Sequence, residues 1–428
     1  MHILQIIPGS GGSFYCGNCL RDDKFHNAMK AQGHEVTKIP MYLPLFSDEH
    51  DLNEMPVFYG AISIYLKQLY PIFRHAPAWV DRLLNSRPML KFAASMAGST
   101  NAKGLEEMTV SMLMGEEGAQ KEELNRMVSW MAEYLKPDVI HLSNALLLGL
   151  APKMREEFPN ASIFCSLQDE DVWVDAMKDS FRDKIWNLMS TKSESVDGFI
   201  GVSDFYSKVS IQKMKMNANK VFTNHLGVDP DEYHITKPVD KVRNIGYISR
   251  MCEANGFDIM IDAFIELKQD ADFKDVNLIL TGGSTGDDKP LLKKVKQKLL
   301  HAGLLDQVEF HEDFDGEGRH DFFKKVQMIS VPVRNGEAFG LYLLESMASG
   351  VPVVQPALGA FPEIIEKSKG GITYPTNDAK SLSNSLKELL NDPQKLSDLS
   401  ENGRKSVEKD FNVKTQSEKL IEIYKKFV

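Results

Sequence analysis

The chain has 428 residues, too many for one ordinary hydrophobic core, so two or three domains are expected. Its 43% hydrophobic and 26% charged residues suit a globular protein, and a net charge of −10 argues against nucleic-acid binding as the main role, since phosphate contacts need clustered Lys and Arg. Apolar runs such as Ala145 to Pro152 are far too short to span a bilayer.

Taken in chain order, His2 to Ile7 reads as a buried strand rather than a secretory leader, and it ends in the turn PGSGG. A cytoplasmic protein is the expectation from that start. Cys19 to Gln32 reads as a helix stopped by Gly33, followed by a second strand from His34 to Pro40. Cys16-Gly-Asn-Cys19 has the spacing of a redox or half-zinc motif, but no second pair follows, so structural thiols are the simpler reading. Further short apolar runs lie at Asp138–Leu142, Ser162–Leu167 and Gly198–Val202. Strands alternating with helices imply a parallel sheet with right-handed crossovers.

The interval from Leu45 to Pro137 breaks that rhythm and reads as a helical insertion. Between Ala61 and Phe92 it carries five basic residues, Lys67, Arg74, Arg82, Arg87 and Lys91, against one acid, Asp81. Aromatics are interleaved with them. Two readings stay open: an amphipathic face whose Tyr65, Tyr70, Phe73 and Trp79 pack inward, or a weak peripheral contact with an anionic membrane or an acceptor.

A second set of strand candidates follows: IGYISR, VNLILTGG, QVEFHE, QMISVPV and VPVVQPA, with Gly227 to Lys241 as the connection between the halves. After Gly371 the chain reads as helical to its end. Ligands of open parallel sheets bind beyond the carboxyl ends of the strands, so the loops there are the places to search. Gly11 and Gly12 follow the first strand and could let backbone N–H groups approach an anion, although the loop is neither GxGxxG nor a P-loop. Arg250 closes the IGYISR run and offers a planar donor array suited to a diphosphate. Between Asn335 and Val354 an apolar segment, NGEAFGLYLLESMASGVPVV, holds two carboxylates, Glu337 in the loop and Glu345 inside the helix. A buried carboxylate needs donors: vicinal ribose hydroxyls would serve, or else Glu345 merely meets solvent or an Arg.

Glu337-Ala-Phe-Gly-Leu-Tyr-Leu-Leu-Glu345, followed by MASGVPVV, resembles the E-x7-E signature of retaining family 4 glycosyltransferases. The Gly11-Gly12 loop, AQGHEV at 31–36, LGVD at 226–229 and Arg250 resemble it further. The resemblance implies an α/β chain of GT-B fold: two Rossmann-like parallel-sheet domains facing a cleft, the first with a helical insertion. Residues 1–226 would form the acceptor domain (insertion about 45–137), and 227–408 the nucleotide-sugar donor domain. The closing helix, 409–428, would pack back toward the first. It also implies transfer of a hexose from a nucleoside diphosphate sugar to an acceptor that the sequence does not name, without cofactor or bound metal. Glu337 would face the donor sugar and Glu345 the ribose. Backbone N–H groups near Phe339, Gly340 and Leu341 would hold sugar and diphosphate, and Arg250 would neutralise the leaving group. Asp169-Glu-Asp171 looks like a DxD metal motif, but that motif belongs to the other glycosyltransferase architecture.

Two positions depart from the family pattern. Asn255 stands where a Lys would give a second diphosphate clamp, and Gln168 stands on the acceptor side where the family often has a His. Both keep open a catalytically silent GT-B protein that binds a nucleotide sugar or a partner enzyme. A sugar-nucleotide epimerase on the same architecture fits the signature less well.

Overall fold

The computed structural model describes residues 1–8, 17–41, 104–311 and 316–428, with Cys19 represented by its backbone. Gly11, Gly12, Cys16 and the basic stretch 61–92 lie outside the described residues. The chain divides into two compact units. The first runs, Gly17 apart, to Asn224 and takes back Ser417–Val428, and the second comprises His225–Gln416.

The first unit is built on a six-stranded, all-parallel sheet. Its strands are β1 (His2–Ile7), β2 (Glu35–Pro40), β3 (Val139–Leu142), β4 (Ser162–Leu167), β5 (Gly198–Gly201) and β6 (Val221–Thr223). Their order is β2-β1-β3-β4-β5-β6. Each inner strand is buried along its length, which is why the runs are continuously apolar rather than alternating. The helix Gly17–Ala31 ends where Gly33, at φ 83°, adopts a left-handed turn and His34 N–H donates to the Met29 carbonyl at 3.2 Å. Of the expected insertion, residues 104–137 contribute two helices, Glu106–Met114 and Lys121–Tyr134.

The second unit repeats the scheme. Its strands are β7 (Asn244–Ile248), β8 (Asn277–Thr281), β9 (Val308–Phe310), β10 (Met328–Ile329), β11 (Val353–Pro356) and β12 (Gly371–Tyr374), in the order β12-β11-β10-β7-β8-β9. Two expectations are corrected here. The run QMISVPV pairs over Met328–Ile329 alone, because Pro332 has no N–H to donate and the Val331 N–H turns to the Gln355 side chain. The tail after Gly371 is not wholly helical: Gly371–Tyr374 is the edge strand beside β11, a role too short and too half-exposed to announce itself by periodicity. The strand β6 also escaped the sequence reading, its three residues being half-buried.

Ser417–Val428 completes the first unit with aromatic packing. Tyr424 lies against Phe164 with ring centroids 4.8 Å apart and bonds His141 Nδ1 through its hydroxyl, while Phe427 meets Phe164 edge-on. His141 is buried, and that burial pushes its pKa down to about 3, so it sits there as neutral imidazole between Tyr424 and Ser166. Tyr424→Ala should therefore lower the urea-unfolding free energy of this unit by about 3–5 kcal/mol, the range for truncating a buried aromatic. Tyr424→Phe, which removes only the hydroxyl, should cost about 1–3 kcal/mol. Equal stability of all three proteins would show that this packing contributes nothing.

Candidate functional site in the second unit

In an open parallel sheet the order of strands reverses at one point, and the strand ends there leave a crevice. In the second sheet that point lies between β7 and β10, because the chain runs outward to β8 and β9 and then returns to β10. Arg250 and Asn255 follow β7, and Glu337 follows β10. The topology therefore brings the two loops side by side.

Backbone contacts hold them there. The Arg334 N–H donates to the Ala254 carbonyl at 3.0 Å, and its guanidinium bonds the Glu253 carbonyl at 3.0 Å. Gly256, at φ 67°, approaches so closely that a Cβ would stand 1.9 Å from the Pro332 carbonyl oxygen. Between the next pair of loops, a Cβ on Gly359 would stand 2.6 Å from both the backbone N and O of Glu337, and the Ala360 N–H donates to the Glu337 carbonyl at 3.0 Å. The Glu337 backbone is thus clamped from the β11 side. Its half-buried carboxylate lies beside Gly340, the left-handed residue that opens the helix Leu341–Ala348; a Cβ there would come 3.0 Å from Glu337 Oε2. The first N–H groups of a helix lack intrahelical acceptors and carry its positive end, so the Phe339–Leu341 segment presents donors next to this carboxylate.

The buried Tyr247 ties the β7 loop together, donating to the Arg250 carbonyl at 3.0 Å. Burial raises its pKa well above the ordinary range, with Cys252 and Glu337 adding to the effect, so it remains a neutral phenol. Asn255 donates its amide to Ser249 Oγ at 2.8 Å and to the Arg250 carbonyl at 3.2 Å. Arg250 forks onto Asp288, with Nε 2.8 Å from Oδ2 and Nη2 3.0 Å from Oδ1.

Glu345 finds its donors inside the chain. It has no exposed surface; its Oε1 accepts from the Tyr233 hydroxyl at 2.8 Å and pairs with Arg319 Nε at 3.2 Å. Of the partners that the sequence left open, the structure displays an Arg, as an ion pair, and the hydrogen bond itself comes from Tyr233. Tyr233 arrives through the LGVD stretch: Asp229 accepts from the Asp231 N–H at 3.0 Å and starts the turn Pro230–Glu232 that delivers the ring. Arg404 then bonds the carbonyls of Pro230 at 2.8 Å and Ala348 at 2.6 Å, fastening that turn to the end of the Glu345 helix.

Gln168 lies in the first unit and is buried. Its amide accepts from Arg21 and donates to the Ser143 carbonyl at 2.7 Å, so both ends are engaged within the chain. Arg21 also pairs with Asp22. Next to it, Glu170 takes three donors: the N–H of Ala145 at 2.9 Å, that of Gln168 at 2.8 Å and the Tyr206 hydroxyl at 2.9 Å. Burial nevertheless pushes its pKa from the usual 4.5 up to about 7. Sequence reasoning passed over Tyr233, Arg319, Asp288, Arg21 and Glu170. The signal for Asp288 was present, since Thr285-Gly-Asp-Asp288 spells a capping box, and the structure forms it. Arg21 and Asp22 close the stretch FYCGNCLRD, whose local pattern does not tell that they point inward. Among the described residues no group of three His, Cys, Asp or Glu side chains is placed to hold a metal ion, and no helix is long and apolar enough to cross a membrane.

Two outcomes are expected of these buried carboxylates. Glu345→Ala leaves Arg319 and Tyr233 facing an empty space, so unfolding free energy should drop by about 3–5 kcal/mol, the cost of breaking a buried ion pair from one side. A denaturation midpoint equal to wild type would mean that the pair is idle. Glu170 binds a proton more tightly folded than unfolded, so its contribution is complete below pH 4.5 and is lost as pH rises through about 7. Stability should fall across that window, and Glu170→Gln should flatten the fall even though the variant is less stable throughout.

Residues 231–406 match the family model described as glycosyl transferases group 1. The lipopolysaccharide core biosynthesis mannosyltransferase LpsB of Rhizobium meliloti is 27% identical over 205 residues, which is 46% of this chain and 53% of that protein. Spore coat protein SA of Bacillus subtilis is 22% identical over 306 residues, 68% of this chain and 78% of that protein. The matched stretch spans about half the length of the mannosyltransferase and likewise 50% of a phosphatidyl-myo-inositol mannosyltransferase of Mycobacterium leprae. Among solved structures, Anabaena HepE in complex with UDP aligns over 100% of both chains with a TM-score of 0.68 at 17% identity. Sucrose-phosphate synthase from Thermosynechococcus elongatus aligns over 100% of this chain and 98% of its own with a TM-score of 0.71 at 18% identity. At such identities the structures speak for the fold alone. The chain has the GT-B fold, and its segment 231–406 is similar to the glycosyl transferases of group 1.

Proposed function

We propose that the protein is a glycosyltransferase that moves a hexose from a nucleoside diphosphate sugar to an acceptor hydroxyl, with retention and without a bound metal. The observation that carries this reading is the placement of Arg250 and Glu337 on the two loops of the β7–β10 switch point, with the opening of the helix Leu341–Ala348 beside Glu337. The match of the same segment to the group 1 family supports it, as do the mannosyltransferases among the relatives. In this reading Arg250 and the helix-start amides stabilise charge on the departing diphosphate, the part a cation plays elsewhere. Glu337 orients the donor sugar while the acceptor attacks on the face that the diphosphate leaves, through an oxocarbenium-like state. Ribose hydroxyls are assigned to Glu345, which makes exchange with Arg319 part of nucleoside binding.

A second reading has its own observation. Asn255 spends its amide N–H groups on bracing its loop, and the family's second cation is missing, as it would be in a nucleotide-sugar binder that does not transfer.

Incubation with UDP-, GDP- and ADP-sugars and a panel of hydroxyl acceptors (monosaccharides, inositol, glycerol) in the presence of EDTA, with the released nucleotide and any sugar product followed by NMR, separates the two. Turnover that persists in EDTA and keeps the anomeric configuration is expected. Glu337→Gln should lower kcat by about 10²–10³-fold, the range for losing one transition-state contact, while circular dichroism stays unchanged. Saturable donor binding with no release in any mixture would favour the binder.

A further inference from the structure

Asp288 sits where a diphosphate has to compete with it. Both its oxygens face Arg250 in the forked geometry that Arg uses for carboxylates and phosphates alike. Thr285 fixes the carboxylate from the other side, its N–H donating to Oδ2 at 2.7 Å and its hydroxyl at 2.8 Å. The same hydroxyl accepts from Arg250 Nη2 at 2.9 Å, which closes a ring of three side chains. The capping box places Asp288 immediately before the helix Lys289–His301, and close approach of the β7 and β8 loops keeps it over Arg250: a Cβ on Gly282 would stand 2.4 Å from the Ser249 carbonyl oxygen. Burial works against the charge of Asp288, but the bonds from Arg250 and Thr285 outweigh it and hold the carboxyl below its usual range, so it stays ionised. The charge of Arg250 is therefore already matched by that of Asp288, and Asn255 adds none.

We propose that Asp288 is an internal counter-anion that competes with the nucleoside diphosphate for Arg250 and so holds donor and product affinity down. The inference rests on the assignment of Arg250 to the diphosphate. Its functional consequence is release. A site with two unopposed cations retains its nucleoside diphosphate product, whereas here a carboxylate already bonded to the same fork takes the guanidinium back as the product leaves. Product release limits turnover in many enzymes, so a built-in competitor is a means of tuning it.

The test is calorimetric titration of wild type, Asp288→Asn, Arg250→Ala and Asn255→Lys with UDP, GDP and ADP and with the corresponding monophosphates. For whichever base binds, Asp288→Asn should tighten the diphosphate about tenfold or more and leave the monophosphate within twofold, since the gain belongs to the terminal phosphate. Asn255→Lys adds charge without touching Asp288, so it should move the diphosphate in the same direction even if the first variant fails to fold. Arg250→Ala should bring the diphosphate down toward the monophosphate. If Arg250→Ala changes neither ligand, the leaving-group assignment itself fails. If Arg250→Ala weakens the diphosphate and Asp288→Asn weakens it too, Asp288 orients Arg250 instead of opposing it, and the proposal is overturned. Absence of binding by every nucleotide to all four proteins overturns both.

Discussion

A carboxylate without exposed surface is tolerable only where donors replace its water, and the second unit is organised around meeting that demand at Glu345. Tyr233 comes from the turn that follows LGVD, Arg319 from the helix Gly316–Lys325, and Glu345 itself from the helix Leu341–Ala348. Arg404, on the helix Pro393–Lys409, locks the turn to the end of the Glu345 helix. Three separate segments thus meet at one carboxylate, and a fourth fastens two of them together. The ion pair joins the helices Gly316–Lys325 and Leu341–Ala348 and is strongly destabilising when half of it is lost, while Arg404 ties the start of the unit to its last long helix.

Glu337 lies in the loop that leads into the Glu345 helix. Its backbone is gripped by Gly359 and Ala360, and its side chain is directed by the left-handed Gly340. The close approaches at Gly256 and Gly359 are ones that an added Cβ would forbid, so the smallest residues in the chain decide where the charged ones stand. The result is a line of ligand-sized groups along the carboxyl ends of β7 and β10: a carboxylate, helix-start amides and a guanidinium. Arg250 and, inside the helix, Glu345 have partners within the chain. A ligand that took either group would therefore exchange partners with the chain rather than fill a bare charge.

The first unit shows a different use of buried charge. Arg21, Asp22, Gln168, Glu170 and Tyr206 form a network beyond the ends of β3 and β4 in which donors and acceptors are matched inside the chain. Gln168, which stands where a base could have been, is a brace there. Glu170 is held near neutrality by burial against three donors, so its protonation is coupled to the stability of the unit.

The sequence by itself determined the class of fold and the sites of the principal loops. Continuous apolar runs separated by helices specify parallel strands buried on both faces, because no other arrangement hides such runs, and β1, β4 and β11 follow from that rule with little error. The pair Glu337 and Glu345 in an apolar segment marked the place where donors had to come from elsewhere. Which donors came was decided by the tertiary structure. Arg319 precedes Glu345 by 26 positions and Tyr233 precedes it by 112, and nothing in local pattern couples residues at such separations. The half-exposed edge strands β6 and β12 were likewise missed, since a strand of three or four residues has too little periodicity to be read. Asp288 lies between the two cases. Its capping box is written in four consecutive residues, but its partnership with Arg250 exists because β7 and β8 are neighbours in the sheet, a fact of chain topology rather than of sequence spacing.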